Sequence, residues 1–216
     1  MDRPTIPEPS WRVWHGEEPI RLGISSCLLG AKVRYDGGHK HDRYITDVLG
    51  EWLEWVPVCP EFEIGLGVPR PTIQLQRGNP EPQLVEPISG EVLTKRMEDH
   101  AARRLAEIEE FGLDGFILKS RSPSCGLEGV DVFDADRSST KDGVGIFARV
   151  LAQRWPGLPV AEEGWFGDDR RLLDFIERVL GRHRKRVASG RTLDAKQTAD
   201  LHASHRTLLE KLRVKS

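Results

Sequence analysis

Short apolar runs recur along this chain, each followed by a polar turn and then an amphipathic stretch. That alternation fixes the class of fold open to it. Ile20–Ser25, Val56-Pro57-Val58, Gly115–Lys119 and Leu158-Pro159-Val160-Ala161 have the length and apolar character of strands. Between them apolar residues fall three and four apart. Ile45, Val48, Leu49 and Trp52 do so within 42–54, and Met97, Ala101, Leu105 and Ile108 within 95–111. Ile146, Phe147, Val150 and Leu151 repeat the spacing within about 143–155, and Leu172, Leu173, Ile176 and Val179 within 169–180. A period near 3.6 predicts helices. Strands alternating with helices predict an α/β fold, three layers around a largely parallel, Rossmann-like sheet spanning residues 20–180. Pro57 lacks a ladder donor and predicts an edge position for its strand or a place at the strand's start. Residues 62–94 hold five prolines and little periodicity, which predicts a functional loop or a small hairpin excursion.

The flanks differ from this body. Residues 1–19 are polar and proline-rich, which predicts an extended lead-in and, without an apolar core, no secretory signal. No apolar run reaches the roughly 18–20 residues of a membrane span, so the expected location is cytoplasmic, and no obligatory protein partner is evident. At the other end the charge changes sign. The whole chain carries 32 Lys and Arg against 34 Asp and Glu, but residues 181–216 hold ten basic and only three acidic side chains. That segment is predicted to be a basic linker (182–190) followed by a helix from about Asp194, a short helical extension without a core of its own. A basic tail on an acidic body suits a polyanionic partner, or is a solvated arginine-rich helix.

Three cysteines, Cys27, Cys59 and Cys125, lie at or just beyond the C-terminal ends of predicted strands. In an open parallel sheet those ends share one edge, where ligands bind, so the three thiols are expected to converge. An odd count closes no disulfide framework. Several readings remain open on the residues alone. The thiols can be small apolar core residues. They can hold zinc with His39 as fourth ligand, although no CxxC pair is present. They can form a thiol redox site, or hold an iron–sulfur cluster that leaves one iron open to a soft atom such as sulfur. Around the same edge, Glu61 follows Cys59 by two residues and is a candidate general base. Ser122 and Ser124 flank Pro123 ahead of Cys125 and can cap a helix or hydrogen-bond a ligand. Arg34, Arg70, Lys119 and Arg121 bring positive charge suited to an anionic or phosphate-bearing substrate.

Three motifs in this order resemble a known family. They are Ile24-Ser25-Ser26-Cys27-Leu28-Leu29-Gly30 with Val33-Arg34-Tyr35-Asp36-Gly37-Gly38, then Val58-Cys59-Pro60-Glu61 with Gly65-Leu66 and Pro69-Arg70-Pro71, then Leu118-Lys119-Ser120-Arg121-Ser122-Pro123-Ser124-Cys125-Gly126. Together they closely resemble the thiouracil desulfidase family. The resemblance implies a four-iron four-sulfur cluster on Cys27, Cys59 and Cys125, whose unliganded iron captures the sulfur of a thiolated uracil while water replaces it. It implies Glu61 as the acid/base and Ser122 as the hydrogen-bonding serine, with Ser120 and Ser124 as competitors. Ser26, Arg34, Arg70, Lys119 and Arg121, at the same edge, are the candidate substrate-binding residues. Leu201-His202-Ala203-Ser204-His205-Arg206 with Leu208-Leu209 is similar to the opening of a helical domain fused behind desulfidases acting on 4-thiouridine in transfer RNA. The implied product is uracil or uridine with release of sulfide, from a substrate that is free, a nucleotide or, in the leading reading, tRNA. A non-catalytic zinc- or RNA-binding module is the alternative from another class.

Overall fold

Side-chain alternation and one glycine explain the centre of the sheet. In β1 (Ile20–Ser25), Ile20, Leu22 and Ile24 are all fully buried in one core. Gly23 faces the other way, and a Cβ there would lie 2.2 Å from the ring of Phe116, so the close approach of that ring requires glycine. The chain continues through α1 (Arg43–Asp47), β2 (Leu53–Val58), β3 (Gln74–Gln76), β4 (Gln83–Val85), α2 (Thr94–Glu109), β5 (Gly115–Leu118) and β6 (Val130–Phe133). It then forms β7 (Ser139–Gly143), α3 (Ile146–Arg154), β8 (Val160–Glu162), α4 (Asp169–Gly190) and α5 (Ala195–Arg213). This computed structural model describes residues 18–190 and 194–213; nearly all of the expected lead-in at 1–19 lies outside the described residues.

Four strands pair in parallel in the order β2-β1-β5-β8. Period two in β5 sends Phe116 and Leu118 into a core with α2 and α3, and Ile117 into a second core with β1, α1, α4 and α5. Helices thus cover both faces, and the three-layer α/β expectation holds. Pro57 sits on the edge strand β2, opposite Ile24. The connection from β1 leads to β2 on one side, and the next strand of this sheet, β5, pairs on the other side of β1. That reversal is a topological switch point, with its crevice beyond the C-terminal ends of β1 and β5.

Several elements differ from expectation. The helix expected over 42–54 is short: α1 ends at Asp47, a 3-10 turn covers Leu49–Glu51, and Leu53 already belongs to β2. The excursion in 62–94 contains the β3–β4 hairpin, which belongs to a second sheet ordered β4-β3-β6-β7. The pairing of β6 with β7 is unannounced in the sequence, because Ser139–Asp142 are polar and exposed throughout.

The expected basic linker at 182–190 is helical and continues α4, burying His183 and Val187. Two of its arginines are tied to the body and a third to α5. Arg186 makes two bonds to the fully buried Asp114 (2.9 and 2.8 Å) and one to the Pro19 carbonyl (2.7 Å). Arg182 donates to the Leu113 carbonyl at 2.9 Å. Arg184 starts a directional chain: its Nη1 donates to His205 Nδ1 (3.1 Å), His205 Nε2 to His183 Nδ1 (3.0 Å), and His183 Nε2 to the Glu18 carbonyl (3.0 Å). A carbonyl can only accept, so this polarity leaves both imidazoles neutral. No helix of the described residues is long and apolar enough to cross a membrane.

Candidate active site

Each cysteine is placed by the turn that ends its strand. After β1, a 3-10 turn over Ser26–Leu29 carries Cys27, and the Cys27 carbonyl accepts the amides of Gly30 (3.3 Å) and Lys40 (2.9 Å). After β2, Cys59-Pro60-Glu61 runs into a single π-type turn, Phe62–Leu66. There the Cys59 amide donates to Glu63 Oε1 at 2.9 Å, and Glu63 is itself held by His100 at 2.9 Å and Arg104 at 3.4 Å. After β5, the Ser122 hydroxyl accepts the amides of Ser124 (3.2 Å) and Cys125 (3.1 Å). The carbonyls of Pro123 and Ser124 then take the first amides of α3, at Ile146, Phe147 and Ala148. A Cβ at Gly145 would lie 2.5 Å from the Ser124 backbone, so this docking demands glycine.

The three turns enclose one cavity of about 380 Å³. Cys27, Cys59 and Cys125 all line it, as do Glu61, Ser122, Ser26, Arg34, Arg70, Lys119 and Arg121. The structure therefore brings together the expected metal-ligating, acid/base and substrate-binding residues, with the competing Ser120 in the lining and the competing Ser124 fully buried outside it. The thiols are unpaired, with Cys27 and Cys125 buried and Cys59 half-buried. Desolvation pushes Cys27 up to about 11 and Cys59 up to about 12, and raises Cys125 well above the ordinary thiol range. Thiols held protonated are poor nucleophiles, which disfavours a thiol redox site; they ionise when a metal displaces the proton. Among the described residues no three His, Cys, Asp or Glu side chains close around a single metal ion. His39 is exposed, lies outside the cavity lining, and accepts the His41 amide on Nδ1 at 3.1 Å.

Glu61 is clamped at both oxygens. Oε2 pairs with Arg70 Nη2 at 2.7 Å, and Oε1 accepts from the fully buried Ser124 hydroxyl at 3.0 Å and from Ser122 at 3.5 Å. Two of the expected substrate cations are already engaged by the protein. Lys119 gives its three ammonium protons to the Ser120 carbonyl (3.0 Å), the Ser120 hydroxyl (2.9 Å) and Glu163. Arg70 is buried, and besides Glu61 it serves the carbonyls of Val33 (3.0 Å) and Gly67 (2.8 Å). Arg34 is held more loosely, 3.9 Å from Asp36 and 5.3 Å from the centre of the Tyr35 ring, and Arg121, in left-handed backbone at φ 56°, is exposed at the mouth. Among the described residues the buried Ser26 hydroxyl has no hydrogen-bond partner, and neither has Arg70 Nε.

Sequence reasoning missed Glu163, which also takes the Ser120 amide and hydroxyl, both at 2.7 Å. It directly follows β8, the fourth strand of the parallel sheet, and applying the strand-end rule to that strand would have found it. Ser25 was missed too: it lines the cavity and accepts the Lys119 amide at 3.0 Å.

Fold and site define a class: a three-layer α/β protein that gathers three unpaired thiols and a clamped carboxylate at the switch point of its parallel sheet. A family model described as 2-thiouracil desulfurase matches residues 22–163, and the chain belongs to that family. Among solved structures it is similar to the [4Fe-4S]-dependent thiouracil desulfidase TudS, at 30% identity and a TM-score of 0.53, covering 69% of this chain and 93% of that one. It is also 34% identical over 136 residues to the uncharacterized protein YbbK of Bacillus subtilis (strain 168), covering 60% of this chain and 88% of that protein. The span matched by the family model contains all three cysteines and ends at Glu163, ahead of α4 and α5.

Proposed function

We propose that this protein is an iron–sulfur-dependent desulfidase that exchanges the sulfur of a 4-thiouracil ring for oxygen, the ring being borne on a phosphate as a nucleotide or within transfer RNA. The observation that carries the reading is the joint lining of one cavity by Cys27, Cys59, Cys125 and Glu61. Three soft donors spread around a cavity, rather than closed on one ion, suit a four-iron four-sulfur cluster. Those cysteines would hold it, and when bound it supplies a Lewis-acidic, sulfur-seeking iron. Three unpaired thiols also suit the reducing cytoplasm.

The net exchange is redox-neutral. The oxygen of water bonds to the ring carbon, the carbon–sulfur bond breaks, and both water protons end on the sulfur, which leaves as hydrogen sulfide. Glu61 takes the proton of the attacking water. Ser122 accepts two backbone amides on its oxygen, which leaves its own proton directed towards Glu61. From there it can pass a proton between carboxylate and ring. Ser26 offers the ring an unengaged hydroxyl. With Lys119 and Arg70 engaged inside the protein, phosphate recognition falls to Arg34 and Arg121, with Lys40 beside them in the lining.

The test is anaerobic reconstitution with iron and sulfide, then turnover on 4-thiouracil, 2-thiouracil, 4-thiouridine monophosphate and thiolated tRNA side by side. Sulfide release with a lower KM for the phosphate-bearing 4-thio substrates is expected. Stoichiometric zinc without iron in anaerobically purified protein would instead favour the non-catalytic module.

A further inference from the structure

We propose that Arg70 is a positioning residue for Glu61 and does not bind substrate, an inference that rests on the desulfidase reading. The guanidinium is a hub between the first two motifs. Nη2 holds Glu61 Oε2 at 2.7 Å, while Nη1 reaches the Val33 carbonyl at 3.0 Å and the Gly67 carbonyl at 2.8 Å. Its own amide donates to the Tyr35 carbonyl at 2.9 Å, so the same residue also fixes the loop that carries Arg34. The Arg70 side chain is 3% exposed and that of Glu61 16%, and a charge-assisted bond in that setting is short and directional. The geometry decides the role. A cation that recognises a phosphate must turn donors outward, whereas Arg70 directs three contacts inward to a carboxylate and two carbonyls. What it gains is a fixed carboxylate. With Oε2 taken by Arg70, Oε1 is left to the serine side of the cavity, where Ser124 and Ser122 meet it.

A lysine at this position keeps the charge but not the planar fork, so it can serve one of these partners and not all three at once. Displacement of a catalytic group by about 1 Å can lower turnover roughly 100-fold. Arg70→Lys and Arg70→Ala are therefore expected to lower kcat by about that factor, with KM for 4-thiouridine monophosphate kept within about twofold. Iron per chain and the visible absorption after anaerobic reconstitution should match the parent protein. Added guanidinium ion should restore part of the turnover of Arg70→Ala. On a Glu61→Gln background, Arg70→Lys should slow turnover no further, because the two residues act as a unit.

Three results would overturn the role: a KM raised about tenfold at preserved kcat, the signature of substrate binding; iron lost from both variants, the signature of a merely structural contact; or effects that multiply in the double variant. Failure of the underlying reading looks different. In that case the unsubstituted, iron-loaded protein releases no sulfide from any thiouracil substrate, and the role of Arg70 falls with it.

Discussion

At the C-terminal edge of the parallel sheet, Ser26 Oγ is buried with no hydrogen-bond partner among the described residues, and three thiols in no disulfide line a cavity. Between α4 and α5, the polar chain from Arg184 through His205 and His183 ends on a carbonyl with each donor matched to an acceptor. A buried polar group left unmatched costs about 1–3 kcal/mol, and at a cavity wall a bound ligand can supply the missing partner. A matched network needs no ligand and serves to dock one helix on another. In sequence both regions carry several basic side chains beside apolar residues. What separates them is completeness. The first region is built to be finished by something else, and the second is finished by the chain itself.

The comparison breaks most sharply at the cysteines. Replacing Cys27, Cys59 or Cys125 singly by serine removes a soft thiolate donor from a site that has only three. Iron retention and sulfide release after anaerobic reconstitution should both drop below detection, while the melting transition stays cooperative because the change is nearly isosteric. Full iron content in Cys59→Ser would remove that thiol from the ligand set.

A smaller effect is expected at the closed network, and it is one of pH. Burial first, then the neighbouring His183, Arg184 and His202 charges, lower His205 from 6.5 to about 3. His183 is also lowered, mainly by burial, with Asp114 and Glu18 opposing and Arg186 adding to the shift. An imidazole kept neutral when folded contributes stability that is fully present above its unfolded value and is lost as the unfolded chain gains the proton. Stability should therefore fall between about pH 6.5 and about pH 3. Denaturant midpoints measured from neutral to acid pH should show that fall, and His205→Phe should flatten much of it. A variant with an unchanged pH slope would mean that α5 docks without help from the histidine chain.

The same distinction explains what could be read from the sequence. β1 and β5 are apolar runs buried on both faces, and hydrophobic periodicity identifies such strands directly. The motif residues were legible because they cluster at strand ends, and strand order then brings the ends together. Ser139–Asp142 gave no signal, since that strand is held by pairing with β6 and buries only Gly143. Residues 182–190 read as a linker because arginine dominates their composition, yet Arg182 and Arg186 reach partners 69 and 72 residues away. Lys119 shows the same limit: its charge is visible in the sequence, but its partner Glu163 lies 44 residues further on. Residue type is local information, and whether a charge is free for a ligand is not.

The smallest expected effect concerns the basic tail. Its +7 excess suggests an RNA-binding arm, yet most of its described cations have partners. Arg182, Arg184 and Arg186 hold the fold together. Lys196 pairs with Asp200 at 3.0 Å, and Lys211 lies over the Trp52 ring and 3.8 Å from Glu51. Deleting 181–216 would strip His183, Val187, Leu208 and Leu212 from a core and would report on stability rather than binding. Charge removal at exposed positions tests the tail cleanly. Lys185, Lys196, Arg206 and Lys211, all replaced by Gln, should reduce the slope of log affinity against log salt for thiolated tRNA by less than about one. At the cavity mouth, Arg34→Gln and Arg121→Gln should each reduce it by about 0.7–0.9, the loss of one phosphate contact apiece. Should the tail substitutions instead remove about three units while the mouth substitutions remove none, substrate selection would belong to α4 and α5, and the closed region would carry recognition as well as packing.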